Sequence, residues 1–131
     1  MATIIETGIS GAISLGTADD LILSPTGQIN TNATGIFGTG ANHNIYVLGS
    51  ITTRLNGITL TSNGTVEHDV TIGQSGQIVS LIDGILFSGN GGNIVNAGSI
   101  SAQGDAIDVG DDVSITKSGV VSGSNAAIRA D

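Results

Sequence analysis

Four aspartates, Asp105, Asp108, Asp111 and Asp112, fall within the eight residues Asp105-Ala-Ile-Asp-Val-Gly-Asp-Asp112, the densest acidic patch of the chain. Hard cations such as calcium take about six to eight oxygen ligands, and carboxylates beside a glycine-containing turn can supply part of that shell. Calcium is therefore the candidate cation and these four aspartates its candidate ligands, although the same residue types also close turns and keep a surface soluble. No other cofactor is expected. His43, His68 and Asp69 are of the types that hold a transition metal. The repeat described below sets His43 one residue after a polar column and His68 one residue before it, so they read as separate surface histidines. Arg54 near Asp83 and Asp105 is the nearest approach to a catalytic constellation. With one tyrosine, Tyr46, two phenylalanines, Phe37 and Phe87, and no tryptophan, a sugar-stacking cleft has little to draw on, and the chain reads as non-enzymatic.

The elements that must position these residues follow from one frame, U-x-x-x-G-x-U-x₆-[GA]-I with U apolar. It occurs five times: Leu23, Gly27, Ile29, Ile36; Ile45, Gly49, Ile51, Ile58; Ile72, Gly76, Ile78, Ile85; Ile94, Gly98, Ile100, Ile107; and Ile115, Gly119, Val121, Ile128. The glycines are 22, 27, 22 and 21 residues apart. Constant internal spacing with variable connections is the mark of a solenoid whose loops bulge at one corner. Apolar residues alternate within each piece, as in strands, and nowhere does helical periodicity last. The fold expected is all-β, a right-handed parallel β-helix of about five to six rungs, each of three short strands.

Stacked rungs align equivalent residues about 4.8 Å apart, which predicts three interior ladders: Ile29, Ile51, Ile78, Ile100, Val121; Ile36, Ile58, Ile85, Ile107, Ile128; and Leu23, Ile45, Ile72, Ile94, Ile115. Gly35, Gly57, Gly84, Ala106 and Ala127 mark a crowded corner. Thr34, Asn56, Asp83 and Asp105 precede it, types that close a turn by bonding backbone two residues on. A second polar column is expected at Asp20, Asn42, Asp69, Gly91 and Asp112. The third rung carries about five extra residues in Thr61-Ser-Asn-Gly-Thr-Val-Glu-His68, expected to protrude as a loop.

Eleven acidic residues against three basic ones, Arg54, Lys117 and Arg129, give a formal charge of −8. Nucleic acid and anionic membrane need clustered Lys and Arg, so neither is an expected partner; cations and basic surfaces are. Cysteine is absent, which removes disulfides and thiolate chemistry. The opening MATIIETGIS lacks the basic flank and apolar run of a signal peptide or a membrane span. Residues 1–131 are read as a single β-solenoid domain, an excised part of a longer chain. The strands left unpaired at its two ends are expected to associate with each other or with neighbouring domains of that chain.

Asn93-Ile-Val-Asn-Ala-Gly-Ser-Ile100 and the run Gly104 to Val121 resemble repeats of large bacterial secreted proteins, in which I-x-N-x-G-x-I and D-A-I units alternate in autotransporter-like passengers and haemolysin-type calcium-binding adhesins. The resemblance covers residues 8–131 at the level of the repeat. Ser88-Gly-Asn-Gly-Gly-Asn-Ile-Val95 is similar to one calcium nonapeptide, G-G-x-G-x-D-x-U, with Ser88 for the first glycine and Asn93 for the carboxylate; it reads as a glycine turn. The resemblance implies a secreted or cell-surface structural module of adhesin type. A calcium- or glycan-binding module using the acidic corner is the alternative, and a carbohydrate-active enzyme the third reading.

Overall fold

A computed structural model describes residues 2–40 and 42–130, apart from the side chains at 62–66. Each rung contributes three strand segments, because short runs of β-branched residues alternate with glycine-containing corners; only β9 (Ile58–Ile72) and β11 (Ile85–Asn96) run on through a corner and so serve as two segments each. The first strands of successive rungs are β1 (Thr3–Glu6), β4 (Asp20–Leu23), β7 (Asn44–Val47), the second half of β9 (Ile58–Ile72), the second half of β11 (Ile85–Asn96) and β14 (Val113–Lys117). The second strands are β2 (Ile9–Ser10), β5 (Gln28–Thr31), β8 (Ser50–Thr53), β10 (Gln77–Ser80), β12 (Ser99–Ala102) and β15 (Val120–Gly123). The third are β3 (Ile13–Leu15), β6 (Ile36–Thr39), the first halves of β9 and β11, β13 (Asp105–Val109) and β16 (Ala126–Ala130).

Among the described residues every pairing is parallel and joins neighbouring rungs. The second strands form one six-stranded sheet, and the first and third strands are joined into a ten-stranded sheet by β9 and β11, which run through the corner between them. The protein is thus an all-β parallel β-solenoid, with six rungs among the described residues. Two of the expected ladders are present as drawn. Ile29, Ile51, Ile78, Ile100 and Val121 pair in register, as do Ile36, Ile58, Ile85, Ile107 and Ile128, with Ile13 preceding them.

The third ladder is different. Leu21 pairs with Ile45, Ile45 with Val70, Val70 with Ile94 and Ile94 with Ile115, while Leu23, Val47, Ile72 and Asn96 form a separate column. The cause lies in the next corner, which has two lengths. Ser24 to Gly27 and Gly73 to Gly76 are four-residue corners closed by turn bonds from Gly27 N to the Ser24 carbonyl (2.9 Å) and from Gly76 N to the Gly73 carbonyl (2.8 Å). The corresponding corners on the neighbouring rungs, Leu48-Gly49 and Ala97-Gly98, have two residues. Two extra corner residues keep the sequence spacing while moving the strand by two positions, and a shift of two leaves the same face inward.

The same shift rewrites the second polar column, which runs Asp20, Asn44, Asp69, Asn93, Ser114 on the strands. Asn44 donates from its amide and its Nδ2 to Asp20 Oδ1, at 2.9 and 3.0 Å, and Asn93 Nδ2 donates to Asp69 Oδ1 at 2.8 Å. Asn42, Gly91 and Asp112 instead stand two residues earlier, at a left-handed corner with Ala18, where φ is +57°, +87°, +58° and +58° respectively. The extra residues of the third rung are taken up within β9 as register shifts opposite Ser88 to Gly92. The side chains of that expected loop at 62–66 lie outside the described residues.

Candidate functional site

The chain turns from third strand to next first strand at a corner that is left-handed at Ala18, Asn42, Gly91 and Asp112, and on successive rungs Asn42, Glu67, Gly91 and Asp112 stand in a row. Gly91 has no side chain, so the row is notched between two carboxylates. Asn42, Glu67, Asn90 to Asn93, Asp112 and Ser114 line a groove of about 540 Å³ there. A smaller depression of about 340 Å³ continues from it over the first-strand face, sharing Asn93 and Ser114 and adding Tyr46, Asp69, Thr71, Val95 and Thr116. Carboxylates, amides, hydroxyls and one half-exposed aromatic ring therefore face a single trough. Glu67, Asp69 and Asp112 are its charged members, so its field favours cations and hydrogen-bond donors.

The four aspartates expected to hold calcium are dispersed by the fold. Asp112 lines the groove and Asp111 is exposed beside it. Asp105 is 3% exposed at the opposite end of β13, where it accepts from Asn125 Nδ2 at 2.7 Å and meets Arg129 Nη1 at 3.4 Å. Asp108 stands on the same strand in register with Arg129. Among the described residues no three His, Cys, Asp or Glu side chains gather as a metal site.

Asp105 belongs instead to a polar ladder whose bonds run between rungs rather than two residues along the chain. The Asp83 amide donates to Asn56 Oδ1 at 3.1 Å, and the Asp105 amide to Asp83 Oδ1 at 2.9 Å. This ladder holds up the crowded corner: a Cβ on Gly84 would come within 2.5 Å of Ile100 Cγ2 and meet the Ala106 carbonyl. Arg54 is exposed at the same corner.

His43 and His68, expected on the surface and apart, are buried and stacked. They are 0% and 2% exposed, with ring centroids 5.2 Å apart and planes 8° from parallel. Phe87 meets His68 edge-on at 5.7 Å. Their burial follows from alternation, since His43 is in phase with Ile45 and Val47 and His68 with Val70 and Ile72, a signal visible in the sequence. Small residues make the room: a Cβ on Gly38 would lie 3.0 Å from the His43 ring, and one on Gly92 would lie 3.2 Å from Phe87. His43 Nδ1 lies 2.7 Å from the Asp19 carbonyl and Nε2 3.2 Å from that of Thr39. His68 Nδ1 accepts the His43 amide at 3.4 Å, which leaves the proton on Nε2, buried and without a partner among the described residues. Burial first, and the His43 ring second, hold the His68 pKa down at about 4, against an upward pull from Asp69. The stacked pair forms the inner lining of the corner whose outer surface is the groove.

Comparison of the chain with protein-family models, with curated proteins and with solved structures returned no match.

Proposed function

We propose that the protein is a structural, adhesin-like module of a secreted or cell-surface bacterial protein, a stiff β-solenoid that presents a polar groove at one corner. One contrast carries this reading. The interior ladders repeat the same apolar types from rung to rung, whereas the corner at the groove changes from Ala18 to Asn42, Glu67, Gly91 and Asp112. A constant frame with a varied corner suits presentation of a binding surface. Non-enzymatic binding fits a trough whose carboxylates are spread along it. The test is adhesion of the purified chain to bacterial and host cell surfaces and to immobilised polysaccharides, compared with the Glu67→Ala, Asp112→Ala double variant. Retention that falls in the variant while its melting temperature is unchanged is the expected result; equal retention of both would refute the reading.

A second reading, a calcium- or glycan-binding module, is favoured by the continuity of the groove with exposed Tyr46, since a sugar can stack on the ring and hydrogen-bond to Asp69, Asn93 and Ser114. Native mass spectrometry with and without calcium separates its two forms. Calcium uptake that Asp112→Asn abolishes would support the cation, and oligosaccharide adducts lost in Tyr46→Ala would support the glycan.

A further inference from the structure

We infer that copies of this chain stack head to tail, the first rung of one seated on the last rung of the next in the register that runs through the solenoid. The inference deepens the structural reading above and requires nothing of the groove. Among the described residues β1, β2 and β3 pair on one side only, with β4, β5 and β6, and β14, β15 and β16 pair on one side only, with β11, β12 and β13. Each end face therefore offers three parallel edges, which bind another strand unless something blocks them.

The columns show what would meet across such a contact. One runs Glu6, Leu23, Val47, Ile72, Asn96, Lys117. It is apolar on three inner rungs and charged only at its two ends, with opposite signs, so continuing the register by one rung sets Glu6 of one copy over Lys117 of the other. A second column, Ile9, Gln28, Ser50, Gln77, Ser99, Val120, has the reverse pattern. Its four inner members are polar and its two ends are apolar, with Ile9 78% and Val120 63% exposed. The same step covers Ile9 with Val120, Ile4 with Ile115 and Ile13 with Ile128. The corners match as well, because Thr7-Gly8 and Ser118-Gly119 are both of the two-residue kind. A face that repels its own kind and attracts the opposite face gives an open-ended series, since each added copy leaves one of each face free.

Sedimentation velocity across a concentration series at physiological ionic strength tests this on the chain itself. The wild-type chain is expected to form species larger than a dimer whose size rises with concentration. Glu6→Lys and Lys117→Glu each place like charges across the contact and should raise the concentration needed for assembly by about tenfold or more. An equimolar mixture of the two variants should assemble again, because copies of the two kinds, alternating along the series, set opposite charges across every junction. Restoration in the mixture also shows that both variants are folded. As a second arm, Ile9→Gln with Val120→Ser installs residues already tolerated on inner rungs and should weaken assembly. A wild-type chain that stays monomeric, a series that stops at a dimer, single variants that assemble like wild type, or a mixture that fails to recover would each overturn the inference. Cell and glycan retention by monomer would meanwhile leave the functional reading standing.

Discussion

His68 is a buried group that must stay neutral, and its cost can be measured. Its unfolded pKa is near 6.5 and its folded one about 4, so the unfolded chain binds the proton first. Stability is whole above pH 6.5, falls as the pH drops from about 6.5 to about 4, and stops falling from this source below that. Linkage puts the loss on the order of 3 kcal/mol. Melting temperatures taken from pH 8 to pH 4 should follow that slope, and His68→Phe should flatten it. Asp19 acts in a lower window. Amide bonds from Ala2 and then Gly16 hold its carboxyl below the usual value of 3.8, so its contribution is present above that pH and is lost as the pH falls further. Ser80 makes the complementary point. Its hydroxyl is buried without a partner among the described residues, and the next residue in its column is Ala102. Ser80→Ala should therefore stabilise the protein by about 1 kcal/mol in chemical denaturation.

At the scale of the element, the corners decide where each strand lies. At one of the tight corners, a Cβ on Gly76 would run into the Val47 carbonyl of the rung below, and backbone cannot yield as a flexible side chain can. Gly76→Ala and Gly84→Ala should each cost about 1–3 kcal/mol, read from urea midpoints. Removing Gln74 and Ser75 should leave the fold intact, because Ile72 would then reach Gln77 through a two-residue corner like those on either side. The strands, the parallel stacking and two ladders are legible in the sequence, since Ile29 and Ile36 keep a fixed separation with no corner of variable length between them. The third ladder is not, because corners of two and four residues preserve an identical spacing from Leu23 or Ile45 to the following glycine. The frame also conceals the site. It places Asn42, Gly91 and Asp112 on strands, whereas their positive φ places them on the corner that builds the groove. His43 and His68 read as surface residues only while their polar neighbours outweigh the alternation that points both rings inward.

For the whole molecule, ladders of branched side chains flanked by two continuous sheets give a regular interior, and the residues that vary from rung to rung stand at the corners and on the two end faces. In the two proposals above, binding rests on what the corner at the groove displays and stacking on what the terminal rungs repeat. Both depend on the register, and above all on the two-residue shift between first strands. Because the chain has no cysteine, a pair of introduced thiols reports that register without interference. Tyr46 lies opposite Thr71, whereas constant sequence spacing would set it opposite Gly73. Strands about 4.8 Å apart bring paired Cα atoms within the roughly 4.4–6.8 Å that a disulfide spans. Under mild oxidation, the Tyr46→Cys, Thr71→Cys variant should cross-link rapidly within one chain and Tyr46→Cys, Gly73→Cys should not. Rapid cross-linking of the second pair and not the first would contradict the register on which the fold, the groove and the end faces all rest.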